Sequence, residues 1–221
     1  MKREIIQTSD GSTTIHIPEW KESYHSKHGA IQEANHVFIK NGLSLFEGKD
    51  IAIMEIGFGT GLNAFITFLE SSKLKQNIDY VGVEAYPVSN EELAAMNYVA
   101  ELGVTSQQSI FNLMHQSNWE EKCIIDGHFD LTKRKQFFDD IVDENYFDLI
   151  YFDAFGYHVQ PDLWSTEIFR KMYSALKDNG VLVTYAARGV VKRSMIEVGF
   201  TVEKLAGPPG KREMFRATKK I

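Results

Sequence analysis

Glu55, Glu84 and Asp153 each close a short apolar run, 51–54, 80–83 and 147–152, and each is an acid placed where a buried strand would end. Carboxylates in such places can accept from sugar hydroxyls, attract a cation or take a proton from a nucleophile. The first of them leads into a glycine loop, Glu55-Ile-Gly57-Phe-Gly59-Thr-Gly61-Leu-Asn63. Glycines there remove Cβ atoms where the chain turns and a ligand must approach the backbone, and a helix starting near Asn63 would offer free amides.

The spacing narrows the ligand. G-x-G-x-G departs from the dinucleotide fingerprint G-x-G-x-x-G, whose third glycine serves helix packing beside a pyrophosphate. Glu55, two residues before the first glycine, would repel a pyrophosphate and favour a positive group. Glu84 follows Gly61 by 23 residues, near the offset at which an acid meets ribose hydroxyls. S-adenosylmethionine combines adenosine, a sulfonium cation and an amino-acid tail, and satisfies all three conditions. The plain alternative is a tight turn with two chance acids. Glu55, Gly57, Gly59, Gly61, Asn63 and Glu84 are therefore the candidate cofactor contacts.

These side chains need a scaffold, and the pattern supplies one. From Asp50 onward strands and helices alternate, which predicts an α/β, Rossmann-like, mostly parallel sheet. Its expected strands begin at 51, 80, 129, 147 and 181, and a C-terminal antiparallel hairpin joins 200–202 to 214–217. Residues 106–128 read as a helix on the sheet edge, with Phe111, Leu113, Met114 and Trp119 as its apolar side. In an open parallel sheet, ligands lie at the carboxyl ends of the strands, so Glu55, Glu84 and Asp153 should share one crevice. The polar residue just past the third strand, which would meet the adenine amino group, falls at Gln136 or Asp139. For Asp153 the plain alternative is a helix cap.

Residues 1–46 read as an N-terminal extension, with a hairpin about Asp10-Gly11 and then a helical pattern through Ile31, Ala34, Val37, Phe38 and Leu43. Residues 47–221 form the nucleotide-binding domain. Glu33 and His36 share a helix face, but no third ligand is implied, so no metal is expected. The single Cys123 excludes an internal disulfide and any cysteine-based zinc site. There is no secretory h-region and no apolar run near the roughly 20 residues of a bilayer span, which predicts a soluble cytoplasmic protein with no membrane partner. Net charge is −6, yet Lys192 onward carries eight basic residues against three acids. That asymmetry suits either a basic docking face or a solvated tail.

Five separated stretches together resemble the bacterial tRNA 5-methylaminomethyl-2-thiouridine methyltransferase family, the MnmC-like methyltransferase domain in stand-alone form. They are Tyr24-His25-Ser26 with Gly29-Ala30, Glu33 and His36-Val37-Phe38; the glycine loop; Glu84 with Tyr86-Pro87; Asp153-Ala-Phe155 with Pro161 and Trp164; and Gly199-Phe200 with Gly207 and Gly210-Lys-Arg-Glu-Met214. The resemblance implies a class I S-adenosyl-L-methionine-dependent methyltransferase acting on the amine of a modified wobble uridine in tRNA. Family members often carry a fused FAD-dependent oxidase. This chain ends at Ile221, so the expectation is methylation alone, without FAD and with a separate oxidase as partner. The family commonly has proline soon after Asp-x-Phe, where this chain has Gly156-Tyr157-His158.

On that reading Asp153 is the catalytic candidate, orienting the amine and taking its proton, because an alkylammonium has no lone pair. Tyr24, His25 and Phe155 are candidate substrate contacts, and Lys192, Arg193, Lys211 and Arg212 candidate phosphate contacts. The alternatives are an aminopropyltransferase, a methyltransferase acting on a small-molecule amine, and a non-enzymatic RNA-binding module that keeps the fold.

Overall fold

The computed structural model describes residues 2–220. A small sheet comes first, made of β1 (Glu4–Gln7), β2 (Thr13–Ile17) and β3 (Glu22–Ser23) in that order. The Asp10-Gly11 turn joins β1 to β2 with Glu4 opposite His16 and Gln7 opposite Thr13. The two-residue β3 has no pattern of its own, and only its pairing with β2 makes it a strand. Helix α1 (Ala30–Ala34) continues into a π-helical turn over Asn35–Lys40. Ala30, Ala34, Val37 and Phe38 are buried against the large sheet, so this helical part of the extension forms one wall of the main core.

The large sheet holds β4 (Ile51–Ile56), β5 (Ile78–Val83), β6 (Lys122–Asp126), β7 (Phe129–Arg134), β8 (Phe147–Phe152), β9 (Leu176–Thr184), β10 (Phe200–Ala206) and β11 (Glu213–Lys219). Its order is β10-β11-β9-β8-β4-β5-β7-β6. The five strands from β9 to β7 run parallel. The C-terminal hairpin β10–β11 joins β9 antiparallel, as the sequence predicts. The strand order reverses between β4 and β8, the switch point at which such sheets open a crevice.

Every residue of β4 is buried, as a central strand covered on both faces requires. Ile51 and Ile53 enter one core, together with Phe38, Phe65 and Tyr151; Ala52, Met54 and Ile56 enter the other, with Trp164, Phe169 and Met172. The first face is covered by α2 (Leu62–Ser71), α4 (Tyr98–Glu101) and α5 (Gln108–Gln116), with α3 (Asn90–Ala94) held by a Ser89–Glu92 capping box beside them. The second is covered by α6 (Thr166–Ala175) and α7 (Gly189–Glu197).

One region departs from expectation. The helix expected through 106–128 stops at Gln116, and Lys122–Asp126 becomes an edge strand antiparallel to β7. Its core contribution is one buried residue, Ile125, beside the exposed Ile124, so neither a helical nor a two-residue period is visible. Trp119 lies beyond the helix, bridged to Lys133.

Candidate active site

The glycine loop leaves β4 directly beside the end of β8. The Asp153 amide donates to the Ile56 carbonyl at 2.9 Å. A Cβ on Gly57, whose φ is +89°, would stand 2.7 Å from the Asp153 carbonyl oxygen. Gly61 has φ +71° and a Cβ there would meet His115 at 2.8 Å, so the loop's path admits no side chain at either point.

Asn63, the second residue of α2, ties two of the acids together. Its Nδ2 donates to Glu55 Oε1 at 2.8 Å and to Asp153 Oδ2 at 2.9 Å. Tyr80 donates its hydroxyl to Glu55 Oε2 at 2.8 Å. Glu55 is 1% exposed, and burial pushes its proton affinity well above the usual carboxylate range against those two bonds. Burial likewise raises the Asp153 carboxyl to about 7, helped by the Glu33 charge and opposed by Asn63 and Lys211. Asp153 is thus poised near neutrality, which an exposed aspartate is not. The segment after it is held by its carbonyls: Tyr185 donates to Ala154 O and Trp164 to Phe155 O, both at 2.8 Å. It caps no helix, since Ser165 caps α6.

Glu84 turns its carboxylate toward the loop, accepting from the Gly59 amide at 3.0 Å and the Tyr86 amide at 2.9 Å. Each oxygen keeps a lone pair for a further donor. All three acids line one cavity of about 620 Å³ with Gly57, Gly59 and Asn63. The extension closes it: Trp20 and Tyr24 meet Phe155 edge-on, at centroid separations of 5.3 and 5.0 Å. The cavity's one arginine, Arg3, is engaged by Glu92 at 3.1 Å. An acid-rich cavity with a glycine loop suits a nucleoside that carries positive charge, and no group of three metal-ligating side chains occurs among the described residues.

Four expectations need correction. Gln136 and Asp139 lie outside this cavity, and the aromatic Phe137 and Phe138 line it instead. Strand β7 runs on to Arg134, so the turn that follows presents neighbouring residues to the crevice. Glu55 is no open cation receptor, because it is 1% exposed between Asn63 and Tyr80 and burial favours its protonated form. Lys211 does not reach outward: it pairs with Glu33, itself held by the Ser26 amide at 2.9 Å, and lies 3.8 Å over the Tyr185 ring. Lys192 and Arg193, on α7, line neither this cavity nor its neighbour. His25 lies on the shared wall, hydrogen-bonded through Nδ1 to Thr14 at 2.9 Å and pushed by burial down to about 4, so it is neutral. Arg212 is exposed on the neighbouring cavity's rim.

Sequence reasoning missed Trp20, Phe58 and Tyr185 as cavity walls. Tyr185 stands just beyond β9, so the rule that placed the acids at strand ends would have reached it. Trp20 carried no such signal, because it arrives from a loop.

Residues 129–220 match a family model described as S-adenosyl-L-methionine-dependent methyltransferase. Over 91% of its length the chain is 31% identical to the tRNA 5-methylaminomethyl-2-thiouridine biosynthesis bifunctional protein MnmC of Burkholderia multivorans, covering 33% of that protein. The MnmC of Hydrogenovibrio crunogenus is 28% identical over 96% of the chain and 33% of its own length. The chain is thus similar to these MnmC proteins over most of its length, and to that methyltransferase family over its C-terminal part. It spans about a third of the length of these curated relatives. Among solved structures, MnmC2 from Aquifex aeolicus superposes with a TM-score of 0.80 at 21% identity, covering 99% of this chain and 70% of that one, which establishes the shared fold.

Proposed function

We propose that the chain uses S-adenosylmethionine to methylate the amine of a 5-aminomethyl-2-thiouridine-type wobble nucleoside in tRNA. The observation that carries this reading is the bridge from Asn63 to both Glu55 and Asp153, which fixes a near-neutral carboxylate on the wall of an acid-lined, glycine-floored cavity.

When bound, the cofactor supplies a methyl already activated on sulfur. Glu84 would hold the ribose hydroxyls with the lone pairs left over from the Gly59 and Tyr86 amides. Phe137, Phe138 and Tyr86 would flank the adenine, and the glycine loop would pass beneath the sugar and tail. Asp153 Oδ2 stays with Asn63, which leaves Oδ1 to accept from the incoming amine and hold its proton. Trp20, Tyr24 and Phe155 would exclude water and keep the amine in line, which supplies most of the rate. The tRNA description of the curated relatives supports the substrate. Their description as bifunctional supports a second activity acting on the same nucleoside, for which a FAD-dependent oxidase is the candidate.

The test is incubation with labelled S-adenosylmethionine and tRNA from a strain lacking the final methyl, followed by nucleoside analysis. Label in the wobble nucleoside is the expected result. Label in free amines but not in tRNA overturns the substrate, and no binding of S-adenosylmethionine by calorimetry overturns the enzyme.

A further inference from the structure

A second cavity, of about 720 Å³, adjoins the first and shares Ser23, Tyr24, His25 and Tyr185 with it. Its walls come from the extension at 21–28 with Glu33, the 156–158 turn, the 185–188 segment past β9, and residues 210–213 of the loop that Pro208-Pro209-Gly210 begins. The turn is the Gly156-Tyr157-His158 segment that replaces the proline expected there. His158 Nε2 stands 2.9 Å from Glu22 Oε2, which ties the turn to the extension. Tyr157 presents its ring to Arg188, whose guanidinium carbon lies 5.6 Å from the ring centroid.

The charges of this cavity are unbalanced. Its acids are all engaged: Glu22 with His158, Glu33 with Lys211, and Glu213 with Lys204 at 3.1 Å. Lys21, Lys27, Arg188 and Arg212 line it with no carboxylate within salt-bridge distance among the described residues. Free cations interleaved with aromatic faces are what a single-stranded nucleic acid needs, phosphates meeting the charges and bases the rings.

We propose that the second cavity binds the nucleotide next to the reactive one in a single-stranded stretch, its base stacked on the Tyr157–Arg188 shelf and its phosphates held by Lys21, Lys27 and Arg212. This rests on the tRNA reading above and adds which face the strand takes. The shared wall lets one base enter the acid cavity while its neighbour stays in the basic one. Helix α7, with Lys192 and Arg193, then lies off the path.

The test measures KM for tRNA lacking the final methyl, and Kd for S-adenosylmethionine by calorimetry, in the full chain. Tyr157→Ala should raise the tRNA KM about tenfold, the size of one lost base stack, and Tyr157→Phe should restore it. Cofactor Kd should be unchanged. Lys21→Glu with Lys27→Glu should weaken tRNA binding and lower its salt slope by about two. The proposal is overturned if both variants keep the wild-type KM and slope, or if Lys192→Glu with Arg193→Glu weakens tRNA binding as much. A wild-type chain that neither binds nor methylates tRNA defeats the underlying reading, in an arm separate from the variants.

Discussion

The two cavities share a wall of Ser23, Tyr24, His25 and Tyr185 and differ in nearly everything else. In the first, acids at the ends of β4, β5 and β8 are fixed by Asn63, Tyr80 and backbone amides, so its geometry is set by the sheet. The second is walled by loops and the extension, and its free cations sit on long exposed side chains. A reaction centre needs groups whose positions do not relax when charge moves. A surface that recognises a polyanion needs charge density and adaptable reach.

If that contrast holds, substitutions in the first cavity should hit turnover or cofactor affinity and those in the second should hit tRNA affinity. The largest expected effect is Asp153→Ala, which should lower kcat by a factor of about 10²–10⁴, the usual contribution of a positioned proton acceptor. Cofactor affinity, measured by calorimetry, should barely move. Wild-type turnover in this variant removes Asp153 from catalysis.

Asn63→Leu should come next. It leaves two carboxylates facing one another without their common donor, and a lost bond to a buried charged group costs roughly 1.5–3 kcal/mol. Urea melts should show that loss, and the Asp153 titration should move above 7 because Asn63 lowers it. An unchanged midpoint and pH profile would mean that the bridge is decorative. Glu84→Ala should weaken S-adenosylmethionine about tenfold or more, with kcat at saturation nearly retained. A fall in kcat without a change in affinity would place Glu84 at the reacting centre instead.

The last expectation concerns pH. The folded Asp153 carboxyl sits at about 7, above its ordinary 3.8, so the native state holds a proton that the unfolded chain has released. Its contribution to stability is therefore fully present below about pH 4 and is lost as pH rises through 7. Catalysis runs the other way: kcat/KM should rise through an apparent pKa near 7 as Asp153 becomes able to accept a proton. Asp153→Asn should flatten that part of the stability curve and lower the overall rate. A stability curve of unchanged shape would remove the titration from Asp153.

Much of the first cavity was legible because its signals are local. The glycine spacing, the acids closing apolar runs and Asn63 are contiguous patterns, and the rule for parallel sheets assembles them. The adenine side was misread because the boundary of β7 was uncertain, and a slip of one residue exchanges Gln136 for Phe137. Lys211 looked like a free cation on a loop rim, since nothing in Gly210-Lys-Arg-Glu213 signals that Glu33 waits 178 residues away. The edge strand Lys122–Asp126 stayed hidden because its apolar residues, Cys123-Ile124-Ile125, are consecutive and show no two-residue alternation.

By itself the sequence determined the alternating architecture, the glycine turn and the three strand-end acids, because each depends on neighbouring residues and on chirality rules shared by all such sheets. Only the tertiary structure decided that Asn63, bonded to Glu55, also reaches Asp153, 90 residues further on, that Trp20 and Tyr24 close over Phe155, and that Lys211 turns inward. Those contacts join segments whose separation in the chain carries no information about distance. Sheet order and the packing of the extension set that distance, and with it the desolvation that brings Asp153 to neutrality.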